Sequence, residues 1–305
     1  MSRFHLSALS ALAAAVLLAA CAQGVKAPTS AAEVGEAIPG TGFLKGYLGS
    51  ADMLVVDLAP AQLGFLKGYL GSADMPDSLA LVPPPPVEGS PAYAEDVAAF
   101  KALTALQSGP RGAQARRDAE LRFPAAANHF ACALGVPVSE EQTPHLNMLL
   151  QRTMMSAGGA TYKAKNNYQR TRPFVAMQAG SCTPEQEARL SHDGSYPSGH
   201  AALGWAWTLV LTQLAPDRAD ALVQRGRSFG QSRAVCGVHW KSDITAGQMV
   251  GAAAVARLQD DAVFQAQMTA ARREIAQART QGLMPPAELC EAEAKALSLS
   301  THLAP

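Results

Sequence analysis

Residues 197–214 read PSGHAALGWAWTLVLTQL, a turn of small and polar residues that leads into an apolar run. The apolar run is too short to cross a bilayer, and Gly and polar residues interrupt it. We therefore predict a buried core helix over 199–214 that begins at the PSGH turn.

The sequence on both sides of this stretch is also helical in pattern. From Ala92 onward Ala, Leu, Gln and Arg dominate, and no alternating run of the β type occurs. With 305 residues, 48% of them hydrophobic and 16% charged, the chain can bury a sizeable core in one large domain or two small ones. We predict an all-α fold with helices over 92–107, 110–121, 124–134, 140–157, 161–168, 184–191, 199–214, 217–230, 243–259 and 261–280.

The charge balance bears on the kind of partner. The chain has 25 basic and 25 acidic side chains, so its formal net charge is zero. A bulk basic field is therefore absent, and we expect no nucleic-acid partner. Any attraction for an anionic ligand must come from a local group of residues.

The first 20 residues have the pattern of an export signal. Arg3 precedes a stretch, 6–20, that is apolar apart from two serines and is too short for a membrane span. Two cleavage sites compete. The sequence before Cys21 resembles a bacterial lipoprotein signal, in which Cys21 is acylated, while Ala20-Cys21-Ala22 fits ordinary signal peptidase. We favour a signal peptide over 1–20 with a lipid anchor at Cys21.

Residues 22–63 are predicted to form a tether that contains the first copy of a duplicated segment. The sequence GFLKGYLGSADM occurs at 42–53 and again at 64–75. Two copies are too few for a solenoid, because such arrays need about three units to bury a core. We expect the second copy to lead into a folded domain over 64–282, followed by a C-terminal tail over 283–305.

Four cysteines remain once Cys21 is set aside. In an exported chain an even number suggests disulfides, and four cysteines allow three connectivities. The spacings do not resemble a zinc site, because there is no C-x-x-C and no close pair of histidines. Our expectation is that Cys132 pairs with Cys182 and Cys236 with Cys290.

The segment KNNYQRTRP at 165–173 is the first of three that suit an anionic ligand. Lys165 can lie near a helix end, and Arg172 precedes a proline that favours extended backbone. Two cations seven residues apart could converge on one anion. Taken alone, a solvated basic face is the more common explanation of such a pattern.

The second segment is the PSGH turn at 197–200. The free N–H groups of a helix N-terminus point outward there, and the helix dipole favours an anion. Gly199 lets a phosphate approach the backbone, and the Ser198 hydroxyl adds a donor. The alternative is that Ser198 is simply a helix cap and His200 a surface histidine.

The third segment, SRAVCGVHWKSD at 232–243, holds Arg233, His239 and Asp243. If the last two lie on one helical face, Asp243 can hydrogen-bond the ring and fix the tautomer of its other nitrogen. A histidine held in this way can serve as a nucleophile or a base. The alternative is a His–Asp pair that only satisfies a polar group in the core.

The motifs K-x6-RP, PSGH and S-R-x5-H-x3-D occur once each and in this order. With them the chain resembles the type 2 phosphatidic acid phosphatase and vanadium haloperoxidase superfamily, and within it the class A bacterial non-specific acid phosphatases. The resemblance covers roughly residues 64–280. It implies a single compact helical domain with the active site between core helices.

The resemblance also implies a role for each motif residue. The histidine matching His239 attacks phosphorus and forms a phosphohistidine, and the aspartate matching Asp243 orients it. The histidine matching His200 protonates the leaving oxygen and then activates water. Residues that hold the phosphate oxygens match Lys165, Arg172, Ser198, Gly199 and Arg233.

These roles imply an exported acid phosphatase of broad specificity that needs no cofactor and no metal. The expected substrates are small phosphomonoesters such as nucleotides and sugar or aryl phosphates. We expect a homo-oligomer in the periplasm, with an outer-membrane anchor if Cys21 is acylated.

Three other functions use the same residues. The pocket of a vanadate-dependent haloperoxidase holds vanadate, although this chain is short for that class. A lipid phosphatase would act near the membrane, and the Cys21 anchor would keep it there. A module that merely binds phosphate would need no nucleophile, acid and orienting carboxylate.

Overall fold

The computed structural model describes residues 67–298. All the regular structure within this range is helical, which confirms the predicted all-α class. Short 3₁₀ segments at Ala125–Phe130 and Pro216–Arg218 connect some of the helices. The α-helices are α1 (Ser78–Leu81), α2 (Pro91–Thr104), α3 (Pro110–Asp118), α4 (Ala131–Leu134), α5 (Pro144–Ala160), α6 (Tyr162–Tyr168), α7 (Pro173–Ala176), α8 (Pro184–Leu190), α9 (Gly199–Leu214), α10 (Ala219–Val235), α11 (Lys241–Leu258), α12 (Ala262–Thr280) and α13 (Ala287–Ser298).

Helix α9, predicted from the PSGH stretch, is the centre of the fold. It packs against α5, α10 and α11, and most of its residues are buried. The ring of Trp207 is 1% exposed, and its Nε1 donates to the carbonyl of Leu150 at 2.7 Å. The rings of Phe130 and Phe229 lie 6.0 and 5.9 Å from it. The apolar run of the sequence therefore forms a buried helix around which α5, α10 and α11 pack.

Two glycines of α11 permit its close approach to the start of α9. A Cβ added at Gly247 would lie 2.3 Å from the carbonyl oxygen of Ser198, and one at Gly251 would lie 2.2 Å from that of Ala202. No other residue type can occupy these positions without moving the helices apart. The first turn of α11 is thereby held against the PSGH turn.

The expected disulfide pairing is wrong. The structure joins Cys132 to Cys290 and Cys182 to Cys236. The loop before α8 lies against the end of α10, where the amide of Cys182 donates to the carbonyl of Cys236 at 3.1 Å. Sequence separation cannot report such a contact between distant segments, so the spacing of the four cysteines does not choose among the three connectivities.

The C-terminal helix α13 returns to the domain and packs on α3. Arg225 of α10 pairs with Glu293 of α13 at 2.9 Å and with Asp118 at 2.5 Å. Its Nε also donates to the carbonyl of His129, close in sequence to Cys132. Residues 287–298, which the sequence analysis assigned to the tail, are therefore tied to the domain by a disulfide and by a buried ion pair.

The described chain starts within the second copy of the duplicated segment. The amides of Tyr69 and Leu70 donate to the hydroxyl of Ser156 on α5, and the guanidinium of Arg152 lies 4.0 Å from the Tyr69 ring. The described part of this copy, residues 67–75, therefore contacts helix α5. The signal peptide, the tether and the copy at 42–53 lie outside the described residues.

No helix within residues 67–298 is both long enough and apolar enough to cross a membrane.

The pH dependence of stability is expected to depend on Glu274 of α12. Its carboxylate accepts the amides of His145 and Leu146 at the start of α5, each at 2.9 Å. Burial raises its pKa from the ordinary 4.5 to about 7, although both amides act to lower it. Between these two values the folded state binds a proton that the unfolded state releases. The stabilisation from this group is therefore complete below the unfolded pKa and is lost as pH rises through the folded one.

We accordingly expect the free energy of unfolding to fall between about pH 5 and pH 8, and Glu274→Gln to reduce that slope. Urea unfolding at several pH values measures it. Glu288→Gln, at an exposed glutamate of α13, is the matched control and should keep the wild-type slope. An unchanged slope in the Glu274 variant would contradict the assignment.

Candidate functional site

The two cations of the K-x6-RP motif both bond to one loop, at residues 193 and 194. Lys165 lies in the last turn of α6 and donates from Nζ to the carbonyl of Gly194 at 2.6 Å. Arg172 is extended before Pro173, and its Nε donates to the carbonyl of Asp193 at 2.9 Å. Both side chains are almost fully buried. They are therefore not part of a solvated basic face.

The Asp193 carboxylate lies between these cations, and the sequence analysis did not single it out. Its Oδ2 is 2.9 Å from Nη2 of Arg172 and 3.7 Å from Nζ of Lys165. Its side chain is 16% exposed, more than those of its two partners. The two cations thus pair with one carboxylate that is more exposed than either of them. The signal for Asp193 was its place in the DGSY sequence just before PSGH.

The PSGH turn caps α9 and contacts α11. The Ser198 hydroxyl accepts from the amide of Ala201 at 3.2 Å, so this serine is the helix cap that one interpretation predicted. Gly199 is the first residue of the helix. The backbone N–H of Ser198 donates to the carbonyl of Asp243 at 2.9 Å. This bond joins the second motif to the third.

His200 is 1% exposed, so the alternative that it is a surface histidine is wrong. Its ring stacks on Phe229 with the ring centroids 6.3 Å apart, and its Nε2 lies 3.3 Å from the carbonyl oxygen of Ala119. Because a carbonyl oxygen can only accept, this Nε2 carries a proton. Proton transfer to or from a ligand would therefore use Nδ1.

The third motif folds as a tight turn between α10 and α11. Arg233 is fully buried near the end of α10, and its carbonyl accepts the amides of Val238 at 3.1 Å and His239 at 3.3 Å. Gly237 has a φ of +73°, which favours glycine. The turn places His239 just before α11.

His239 and Asp243 are hydrogen-bonded, with 3.3 Å between Nδ1 and Oδ2, and both side chains are fully buried. They do not share a helical face, which was the geometry considered from the sequence. His239 precedes α11, and Asp243 is the third residue of that helix, where it also accepts the Trp240 amide at 2.8 Å. Asp243 points back from the first turn of α11 and caps the Trp240 amide. The same carboxylate therefore reaches His239, which lies just before the helix.

The partners of the His239 ring define its tautomer. Nη1 of Arg172 lies 3.1 Å from Nε2, and a guanidinium can only donate. Nε2 therefore accepts, and the ring proton is on Nδ1, facing Asp243. In this tautomer the Nε2 lone pair accepts the hydrogen bond from the Arg172 guanidinium.

Arg170 supports Asp243 from the other side, at 2.6 Å between Nη1 and Oδ1. Burial raises the pKa of the Asp243 carboxyl, while Arg170 and the Trp240 amide lower it. Arg170 lies inside the first motif, at a position that the motif leaves unspecified. Its second partner, Asp96 on α2, gave no signal because it is remote in sequence.

The structure thus connects the three motifs. Side-chain contacts join Arg172 to His239 and His239 to Asp243, and a backbone bond joins Asp243 to Ser198. The carbonyl of Arg233 accepts the His239 amide, which links this arginine to the His239 turn. His200 follows Gly199 in the first turn of α9. Within residues 67–298, no group of three or more His, Cys, Asp or Glu side chains is arranged to hold a metal ion.

Comparison with known proteins gives a consistent result. The model of the PAP2 superfamily matches residues 148–263, which include the three motifs. An acid phosphatase of Zymomonas mobilis subsp. mobilis is 40% identical over 220 residues, which are 72% of this chain and 83% of that protein. A non-specific acid phosphatase of Providencia stuartii is 42% identical over 201 residues, 66% and 81% of the two chains. One of Salmonella typhimurium is 43% identical over 195 residues, 64% and 78%.

Proposed function

The chain belongs to the PAP2 superfamily and is an acid phosphatase, and on this premise we propose that it hydrolyses phosphomonoesters through a phosphohistidine at His239. The observation that carries the proposal is the pair of contacts that the His239 ring makes, with Arg172 at Nε2 and Asp243 at Nδ1. Arg172 donates to Nε2 and Nδ1 donates to Asp243, so the lone pair that would attack phosphorus is on Nε2, and the bond from Arg172 has to move to the phosphate before the attack.

In the first step Nε2 of His239 attacks phosphorus, and the bond from phosphorus to the ester oxygen breaks. The ring then carries positive charge, which the buried carboxylate of Asp243 offsets. His200, which begins this step as an imidazolium with both ring nitrogens protonated, gives the Nδ1 proton to the departing oxygen and keeps the proton on Nε2. In the second step His200 takes a proton from water, the water oxygen attacks phosphorus, and the bond to Nε2 breaks. Phosphate is released and the neutral tautomer of His239 is restored.

We expect fixed hydrogen-bond donors to stabilise the negative charge on the phosphoryl oxygens. Lys165, Arg172 and Arg233 are each 1% exposed or less, so they are already desolvated and need little reorganisation during the reaction. The PSGH turn adds donors at the N-terminus of α9, where the dipole favours an anion. The phosphate would approach donors that now bond to Asp193 and His239.

Metal independence is part of the proposal, because these three cations supply the charge that a metal would otherwise provide. We expect EDTA in excess to leave kcat/KM for an aryl phosphate unchanged. Vanadate is expected to inhibit competitively, because it can adopt the five-coordinate geometry of the transition state. A steady-state assay measures both. Loss of activity in EDTA that zinc or magnesium restores would overturn metal independence.

The test of vanadate has a built-in control. Sulfate is tetrahedral like phosphate but does not readily become five-coordinate, so it should inhibit far more weakly. Equal inhibition by the two anions would indicate simple anion binding without stabilisation of a transition state.

We also propose that the protein is exported to the periplasm, with residues 1–20 removed and Cys21 acylated at the outer membrane. The two disulfides support an oxidising compartment. We further propose that the protein is a homo-oligomer and that it acts on a broad range of substrates, including nucleotides and sugar or aryl phosphates.

A further inference from the structure

Arg170 is a buried arginine with acidic partners on both sides. Its Nη1 donates to Oδ1 of Asp243 at 2.6 Å and to the hydroxyl of Ser242 at 2.7 Å. Its Nη2 donates to Oδ2 of Asp96 at 2.8 Å. The side chain is 8% exposed, so these bonds form in a largely water-free environment.

Asp96 holds this arrangement from helix α2. Its Oδ1 accepts the amide of Ser242 at 2.9 Å, and its Oδ2 accepts the Ser242 hydroxyl at 2.5 Å. Its side chain is 3% exposed. Asp96 therefore fixes both Arg170 and the first turn of α11, so that three distant segments meet at one carboxylate.

The two oxygens of Asp243 have different partners. Oδ1 faces Arg170, whereas Oδ2 accepts the Trp240 amide and lies 3.3 Å from Nδ1 of His239. The orientation of the carboxylate is thus fixed at both ends. Without Arg170 the carboxylate would lose its nearest positive charge, and burial would favour its protonated form.

We propose that Arg170, held by Asp96, is a positioning residue: it keeps the Asp243 carboxylate charged and directed at the His239 ring. This inference rests on the proposed function, because it takes His239 as the nucleophile. The described hydrogen bonds of Arg170 go to Asp243, Ser242 and Asp96, whereas those of Arg172 go to Asp193, His239 and backbone carbonyls. Its role therefore differs from the one proposed for Arg172.

Arg170→Met is expected to lower kcat by about 100-fold, the effect of misplacing a catalytic group by about 1 Å. KM should change much less, because the phosphate-binding side chains remain. Arg170→Lys retains the charge but not the fork of donors, so it should recover part of the loss. A rise in KM with unchanged kcat would overturn the proposal, since it would make Arg170 a substrate-binding residue.

A double-mutant cycle with Asp243→Asn separates positioning from general stability. If Arg170 acts through the Asp243 carboxylate, Arg170→Met should cost far less in the Asp243→Asn protein than in the wild type. Additive losses would mean that Arg170 only supports the fold, and would overturn the proposal. Asp96→Asn is a milder change, and its loss of kcat should also be far smaller in the Asp243→Asn protein than in the wild type. It replaces Arg170→Met in the cycle if that variant does not fold.

Arg225→Lys provides the matched control. Arg225 is also a buried arginine with two carboxylate partners, Asp118 and Glu293, and neither of these partners belongs to the three motifs. We expect Arg225→Lys to lower the melting temperature, and any effect it has on kcat to be the same with and without the Asp243→Asn substitution. If His239→Ala stays active, the proposed function fails; if only the cycle with Arg170→Met is additive, this inference alone fails.

Discussion

Replacing His239 with alanine is expected to lower kcat for a phosphomonoester by at least about 10⁴-fold, the scale seen when a catalytic nucleophile is removed. The ring lies between Arg172, which contacts Nε2, and Asp243, which contacts Nδ1, and we propose that its Nε2 attacks phosphorus. Without it, water would have to attack phosphorus directly. The cations would still bind phosphate, so product inhibition should persist.

The measurement is kcat with an aryl phosphate, together with the inhibition constant of inorganic phosphate. His192→Ala is the matched control, since His192 is an exposed histidine close to the PSGH turn in sequence, and it should be fully active. Activity within about tenfold of wild type in the His239 variant would rule out this residue as the nucleophile.

Replacing His200 with asparagine is expected to have the second largest effect, and the loss should depend on the leaving group. General acid catalysis contributes about 10²- to 10⁴-fold, and an alkoxide needs the proton far more than an acidic phenol does. An alkyl phosphate should therefore lose most of its rate, and a nitrophenyl phosphate much less. The ring is buried against Phe229, which fixes the direction of its Nδ1.

Comparison of leaving groups of graded pKa gives the measurement. We expect the dependence of kcat/KM on leaving-group pKa to be steeper in His200→Asn than in the wild type. His129→Asn, which replaces another buried histidine beside Phe229, is the matched control and should keep the wild-type dependence. Equal losses for all leaving groups would show that His200 is not the general acid.

The fold was predictable as far as local pattern determines it. Helix α9 was predicted at its observed limits, because an apolar run follows a serine cap. Helices α1 and α7 were missed, since four residues are too few to show a helical period. Helix α13 follows two prolines and was assigned to the tail. The disulfides depend on how distant segments pack, which no local pattern contains.

The residues proposed for the candidate site lie in three short motifs, which is why the sequence could single them out. The structure shows in addition how they are held. His239 and Asp243 meet through the cap of α11, which a spacing of four residues does not specify. Arg170 was visible only as one of the unspecified positions inside the first motif, and Asp193 only as a charge close to PSGH. Asp96 is far from Asp243 in sequence. The two carboxylates are linked through Arg170, and this link is visible once the helices are packed.

Trapping the phosphoenzyme tests the central claim most directly. Rapid quenching of the His200→Asn protein with a labelled aryl phosphate should capture the intermediate, because release of phosphate needs His200 as a base. We predict one acid-labile phosphoryl group per chain, on the peptide that contains His239. No covalent label, or an acid-stable label on Ser198, would contradict the account.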